Sequence, residues 1–72
     1  MNKALLASYM VRHGDTQKTL SDAMGLSLSR LNAKINHTNR ADFRQNEIAF
    51  IASRYELTAD EINLIFFGLK VS

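Results

Sequence analysis

The chain has 72 residues and a mass of 8.1 kDa, enough for one small domain but too little to build a closed catalytic pocket. It contains no cysteine, which excludes disulfides, zinc fingers and thiol nucleophiles and suits a reducing cytoplasm. Nine Lys and Arg residues against seven Asp and Glu give a net charge of +2, which permits a nucleic-acid partner without requiring one. The only membrane-like stretch, residues 4–11, is much shorter than the about 20 apolar residues of a spanning helix, so we expect neither membrane insertion nor secretion.

The first predicted helix covers residues 2–13. Leu6, Tyr9 and Met10 recur there at helical spacing and form one apolar face. Gly14 follows, and a glycine in the left-handed conformation commonly ends a helix. The scarcity of alternating apolar residues argues against strands here and in the rest of the chain.

Two further helices are predicted, over Gln17–Met24 and Leu28–Asn36. Asp15 or Thr16 can cap the first of them through a side-chain oxygen. Gly25 ends it, and Ser27 is a suitable N-cap for the second. The turn between the two helices is therefore only about three residues long.

The second half of the chain predicts a fourth and a fifth helix. Phe43 anchors the entry to the fourth, over residues 45–55, whose apolar stripe is formed by Ile48, Ile51, Ala52 and Tyr55. Thr58 and Glu61 match a capping box, in which each side chain accepts a hydrogen bond from the other residue's backbone amide. The fifth helix starts there and ends at Gly68. We therefore predict an all-α domain of five helices that spans residues 1–72.

The two central helices resemble the helix-turn-helix motif of the Cro and phage-repressor family. Residues 17–32 read QKTLSDAMGLSLSRLN, with Gly25 at the turn and a small residue, Ser21, where the helices approach each other. The resemblance continues downstream through Phe43, Glu47, Ile48, Ile51, Ala52, Leu57, Thr58, Glu61, Ile62, Ile65, Phe66 and Phe67. It implies a compact five-helix domain of the phage repressor/Cro type, with the motif at about residues 17–36.

A closer resemblance, over the full length, is to the modulator-of-repression antirepressors of temperate lactococcal phages. It is carried by the size, the Met1-Asn2-Lys3 start and the third helix, whose sequence is LSRLNAKIN. The resemblance implies a protein that binds the amino-terminal helix-turn-helix domain of a phage CI repressor and covers its DNA-reading surface. It thereby implies a role in the lysis–lysogeny switch.

The third helix carries most of the candidate contacts. Its outward positions are predicted to be Leu28, Ser29, Arg30, Ala33, Lys34 and Asn36. A helix that reads DNA places its first residues at base edges, which need hydrogen-bonding side chains. Leu28 makes no hydrogen bond and so suits a protein partner better, unless it packs under the fourth helix and only adds to the core.

Charge by itself does not decide between DNA and protein. Residues 16–44 hold five basic and two acidic side chains, a balance that suits phosphates or the acidic surface of a partner equally. Gln17 starts the second helix, where relatives often contact a phosphate, although it can equally be an ordinary surface residue. Arg30 is the stronger candidate, since its planar guanidinium fits a guanine, a phosphate or a carboxylate.

The last helix is apolar on more than one face. A domain of this size cannot enclose every one of these side chains, so Phe67 and Leu69 form a candidate dimer surface. The alternative is a closing helix that packs wholly on its own core.

Nothing in the sequence predicts catalysis or a cofactor. His13 and His37 lie far apart and neither has a second metal ligand at suitable spacing, and no nucleophile elbow or phosphate loop is present. Two hypotheses remain. The first is a cytoplasmic antirepressor that binds the CI repressor domain; the second is a Cro-like homodimer that reads operator DNA, alone or together with the repressor.

Overall fold

Five α-helices follow one another in the computed structural model, which describes residues 1–38 and 41–68. They are α1 (Lys3–Arg12), α2 (Gln17–Met24), α3 (Leu28–Asn36), α4 (Gln45–Arg54) and α5 (Ala59–Ile62). The described ranges contain no strand. The predicted all-α fold with five helices is confirmed.

Side-chain caps start four of these helices. The capping residues are Asn2, Thr16, Ser27 and Thr58, and each accepts a hydrogen bond from the backbone amide three residues further along. Glu61 completes a capping box by accepting from the Thr58 amide at 2.8 Å. Because each cap satisfies an otherwise unpaired amide, these residues define where the helices begin. Of the two predicted caps for α2, Thr16 is the one used.

The turn between α2 and α3 depends on a left-handed glycine. Gly25 has φ +70°, a conformation that costs other residues free energy. Its amide donates to the Asp22 carbonyl at 3.2 Å, and the next amide, of Leu26, donates to the Ser21 carbonyl at 2.9 Å. Ser21 itself is fully buried, so α3 packs closely against α2, as in the predicted helix-turn-helix.

The core draws on α1 to α4, on the loop before α4 and on the C-terminal segment. Its buried apolar residues are Leu6, Met10, Leu20, Leu31, Ile35, Phe43, Ile51, Tyr55 and Ile65. All of them except Phe43, which lies in the loop before α4, occupy helical positions that the apolar spacing places inward. The buried face of each helix therefore follows from the period of the sequence.

The end of the fifth helix differs from the prediction. After Ile62 the helix widens into a π-helical segment, Asn63–Phe67, which stops at Gly68. The Ile65 carbonyl accepts from the Asn2 amide at 2.7 Å, and Phe66 packs edge-on against Phe43 with ring centroids 5.6 Å apart. The wide turn thus joins the last segment to the start of α1 and to the loop before α4.

None of the helices in the described ranges is long and apolar enough to cross a membrane.

Candidate interaction surface on the third helix

One side of α3 faces the core and the other faces solvent. Leu31 is fully buried and Ile35 is nearly so. At about 100° per residue, Ser29, Ala33 and Asn36 lie on the opposite side of the helix, and Asn32 lies on the flank between the two sides. Of these, Ala33 is half-buried and the others are exposed.

The first turn of α3 presents an apolar side chain between polar ones. Leu28 is 45% exposed, and both Ser29 and Arg30 are exposed. The alternative in which Leu28 packs under α4 is therefore wrong. In the part of the chain that the structure describes, no carboxylate lies within salt-bridge distance of Arg30.

Lys34 is buried, so its predicted outward position, on which its candidacy as a partner contact rested, is wrong. Its side chain is only 6% exposed. The ammonium donates to the Asp42 carbonyl at 2.9 Å and to Glu47 Oε1 at 3.0 Å. Lys34 follows Leu31 by three residues and so lies on the side of α3 that faces α4. There its aliphatic stem is covered and its charge is neutralised internally.

Glu47 is held as a carboxylate in this contact. Burial raises the pKa of its carboxyl, but the hydrogen bonds from the Arg44 amide and the Lys34 ammonium outweigh that effect, so the pKa lies below its usual value. The Arg44 amide donates at 2.7 Å. The same carboxylate oxygen therefore caps α4 and binds α3 to it.

A chain of side-chain hydrogen bonds runs along the exposed side of α3. Asn32 donates to Gln17 Oε1 at 3.1 Å, Asn36 donates to Asn32 Oδ1 at 2.8 Å, and Lys3 donates to Asn36 Oδ1 at 3.1 Å. Asn32 therefore connects Gln17 and Asn36, both of which were predicted to contact a partner. Asn32 was missed, although its position four residues after Leu28 and four before Asn36 places it on the same side of the helix.

A shallow groove of about 380 Å³ lies beside this chain, between α1 and α3. Its surface is mainly apolar, formed by Ala4, Leu6, Ala7, Met10 and Ile35. Lys3, Gln17 and Asn36 form its polar edge. The sequence pattern did not indicate this groove, since it requires the relative placement of two helices distant in sequence.

The predicted dimer surface is only partly described. Phe67 is 56% exposed, as expected, whereas Leu69 lies outside the described residues. Phe67 belongs to the C-terminal π-helical segment.

A second cluster holds the α1–α2 loop to the end of α4. The Asp15 carboxylate accepts from Arg54 Nε at 2.7 Å and Nη2 at 2.9 Å, from the Tyr55 hydroxyl at 2.7 Å and from Thr19 Oγ1 at 2.8 Å. The Arg54 hydrogen bonds hold the pKa of Asp15 well below its usual range, against the opposing effect of burial. Burial raises the pKa of the Tyr55 phenol, and its hydrogen bond to Asp15 adds to that increase. This cluster stabilises the fold, whereas the local sequence around Asp15 indicates only a helix cap.

No three His, Cys, Asp or Glu side chains within residues 1–38 and 41–68 are grouped so that they could hold a metal ion.

Comparison of the chain with protein-family models, with curated proteins and with solved structures finds no match.

Proposed function

We propose that this protein is a phage transcriptional modulator of the antirepressor type. It binds the amino-terminal helix-turn-helix domain of a phage CI repressor, blocks operator binding and so controls the lysis–lysogeny switch in the cytoplasm of the bacterial host. The observation that carries the proposal is the exposure of Leu28, 45%, in the first turn of α3. A leucine there gains free energy from burial against a protein, whereas it offers no hydrogen bond to a base edge.

The charges around α3 support the same proposal. Lys34 is engaged with Glu47 inside the fold, and Lys18 on α2 is hydrogen bonded to Asp22 at 2.7 Å. Arg30 is then the one cation of α3 that is exposed, within the described residues. Specific DNA binders neutralise several phosphates, which supply much of their affinity. A single exposed cation on the central helix favours a protein partner.

Arg30 also supports the second candidate function, a Cro-like repressor that binds operator half-sites as a homodimer. Its guanidinium is exposed at the start of α3, where a reading helix meets the major groove. Exposed Phe67 offers such a homodimer an apolar contact. A co-repressor that binds DNA together with CI combines the two functions.

The experiment that separates these functions is fluorescence anisotropy of labelled operator DNA. It uses this protein alone, the cognate CI repressor alone and the mixture, at physiological salt. We expect this protein alone to leave the DNA free and to remove the repressor from it in the mixture.

Specific binding by the protein alone, with an affinity that falls steeply as salt increases, would instead identify a Cro-like repressor. A mixture with higher anisotropy than the repressor–DNA complex would identify a co-repressor. Either result contradicts the antirepressor proposal.

A further inference from the structure

The groove between α1 and α3 has an apolar floor and a wall of small side chains. Leu6, Met10 and Ile35 form its floor and are almost fully buried. Ala4 and Ala7, one turn apart on α1, form an exposed wall. Because both wall residues end at a methyl group, another protein segment can approach the α1 backbone closely.

The edge of the groove is polar and carries positive charge only. Lys3 donates to Asn36 across one end at 3.1 Å, and Gln17 lies at the edge beside Asn32. Among the described residues that line the groove there is one cation and no carboxylate. The charge of Lys3 therefore complements an acidic residue on whatever occupies the groove.

Leu28 lies outside the groove, about two turns before Ile35 and on the same side of α3. It precedes Ile35 by seven residues, so the two lie about 10 Å apart along the helix axis and on nearly the same side of it. Asn32 lies between them and is polar and exposed. Apolar residues at positions i and i+7 of a second helix have the same separation, which is the pattern used when an amphipathic helix docks along a groove.

We propose that the groove and Leu28 together bind one amphipathic helix of the repressor's DNA-binding domain. That helix carries two apolar residues seven positions apart, one in the groove and one against Leu28, and a carboxylate that faces Lys3. This inference rests on the proposed function and specifies the surface and the partner segment that the function uses.

The test measures binding of the CI amino-terminal domain to matched variants by isothermal titration calorimetry. Ala7→Gln places a larger side chain in the groove wall, and Ala49→Gln makes the same change at an exposed position of α4 outside the groove. Glutamine is a good helix former, so both variants are expected to retain the circular dichroism spectrum and the Tm of the original protein. We expect Ala7→Gln to weaken binding by about tenfold or more, as for a central interface contact, and Ala49→Gln to leave it unchanged.

The role of the Lys3 charge is tested by the same calorimetric titration. The variant is Lys3→Met, and Lys18→Met is its control. We expect Lys3→Met to weaken binding about fivefold at low salt and to reduce its salt dependence. Equal binding by the Ala7→Gln and Ala49→Gln variants would overturn the groove inference while the proposed function stands.

Failure of the original protein to bind the repressor domain would overturn the proposed function and this inference with it. Sedimentation of the same variants tests whether a second copy of this chain occupies the groove instead. If Ala7→Gln converts a dimer of this chain into a monomer, the groove binds a second copy and the inference is wrong.

Discussion

Leu28 places an exposed apolar side chain at the start of α3. It lies in the first turn, next to the exposed Ser29 and Arg30, and exposes nearly half of its side chain. Keeping an apolar side chain in water forgoes the free energy of its burial, about 25 cal/mol for each Å². A binding partner that covers Leu28 recovers that free energy, whereas DNA offers it only a thymine methyl.

The variant Leu28→Gln tests this role. We expect its affinity for the CI repressor domain to fall about tenfold, since a polar amide replaces the buried apolar contact. Leu64→Gln is the matched control, because Leu64 is also a partly exposed leucine, at 38%, but lies in the C-terminal segment. Calorimetric titration of the two variants checks the prediction, and an equal loss in both would assign no special role to Leu28.

The side chain of Lys34 is buried, although lysine side chains usually lie at the protein surface. Its ammonium connects α3 to Glu47 of α4 and to the Asp42 carbonyl. Removal of one partner from a buried ion pair leaves the other charge without compensation, which costs much more than loss of an exposed pair.

We therefore expect Lys34→Ala to lower the free energy of unfolding by about 3 kcal/mol, measured by urea denaturation at pH 7. The double variant Lys34→Met/Glu47→Leu removes both charges and fills similar volume, so most of the stability should return. If Lys34→Ala instead unfolds at the same urea concentration as the original protein but fails to bind its partner, Lys34 is a surface contact after all.

At the scale of elements, the α2–α3 unit depends on a backbone conformation. Gly25 has φ +70°, and a Cβ built on it would have no atom within 4 Å. A side chain at this position would meet no neighbour, so any cost of substitution comes from the left-handed backbone itself.

Two substitutions at Gly25 test whether the cost of a side chain comes from the left-handed backbone conformation. We expect Gly25→Ala to destabilise the protein by about 1–2 kcal/mol, because alanine avoids the left-handed conformation. Gly25→Asn should cost clearly less, since asparagine tolerates that conformation. Urea denaturation of both variants measures the difference, and equal losses would point to something other than backbone conformation.

For the whole molecule, two half-buried carboxylates, those of Asp15 and Glu47, link segments that are distant in sequence. Asp15 holds the α1–α2 loop to Arg54 and Tyr55, and Glu47 holds α4 to Lys34. Both carboxyls have a pKa in the folded protein below the value in the unfolded chain. Their contribution to stability is therefore complete above the unfolded-chain pKa, near 4, and is lost as the pH falls below it.

We accordingly expect the free energy of unfolding to be nearly constant between about pH 5 and 7 and to fall steadily below about pH 4. Urea denaturation from pH 7 to pH 2.5 measures this dependence. Asp15→Asn keeps the shape of the side chain but removes its charge, so it should be less stable at pH 7 and lose less stability on acidification. An unchanged acid dependence in Asp15→Asn would show that Asp15 does not contribute to it.

The helices themselves could be predicted from the sequence because their signals are local. Thr16, Ser27 and Thr58 accept hydrogen bonds from amides three residues away, and the apolar spacing of each helix selects its buried side. Such signals act within one or two helical turns, so no knowledge of the remaining chain is needed to interpret them. The exposure of Ser29 and Arg30 follows in the same way from their positions on α3, whereas Leu28 shares the apolar spacing of Leu31 and Ile35 and only the tertiary structure shows that it is exposed.

Only the tertiary structure decided what the long side chains contact and what lies between the helices. The contact between Lys34 and Glu47 depends on the approach of α4 to α3, and the hydrogen bond from Lys3 to Asn36 depends on that of α1. The groove forms where α1 and α3 meet, and the π-helical segment coincides with the contact of Ile65 with Asn2. Each of these contacts joins residues far apart in the chain, and local spacing carries no information about their distance. The sequence by itself therefore determined the helices and their buried sides, whereas three-dimensional packing decided which charges are neutralised and which surface remains for a partner.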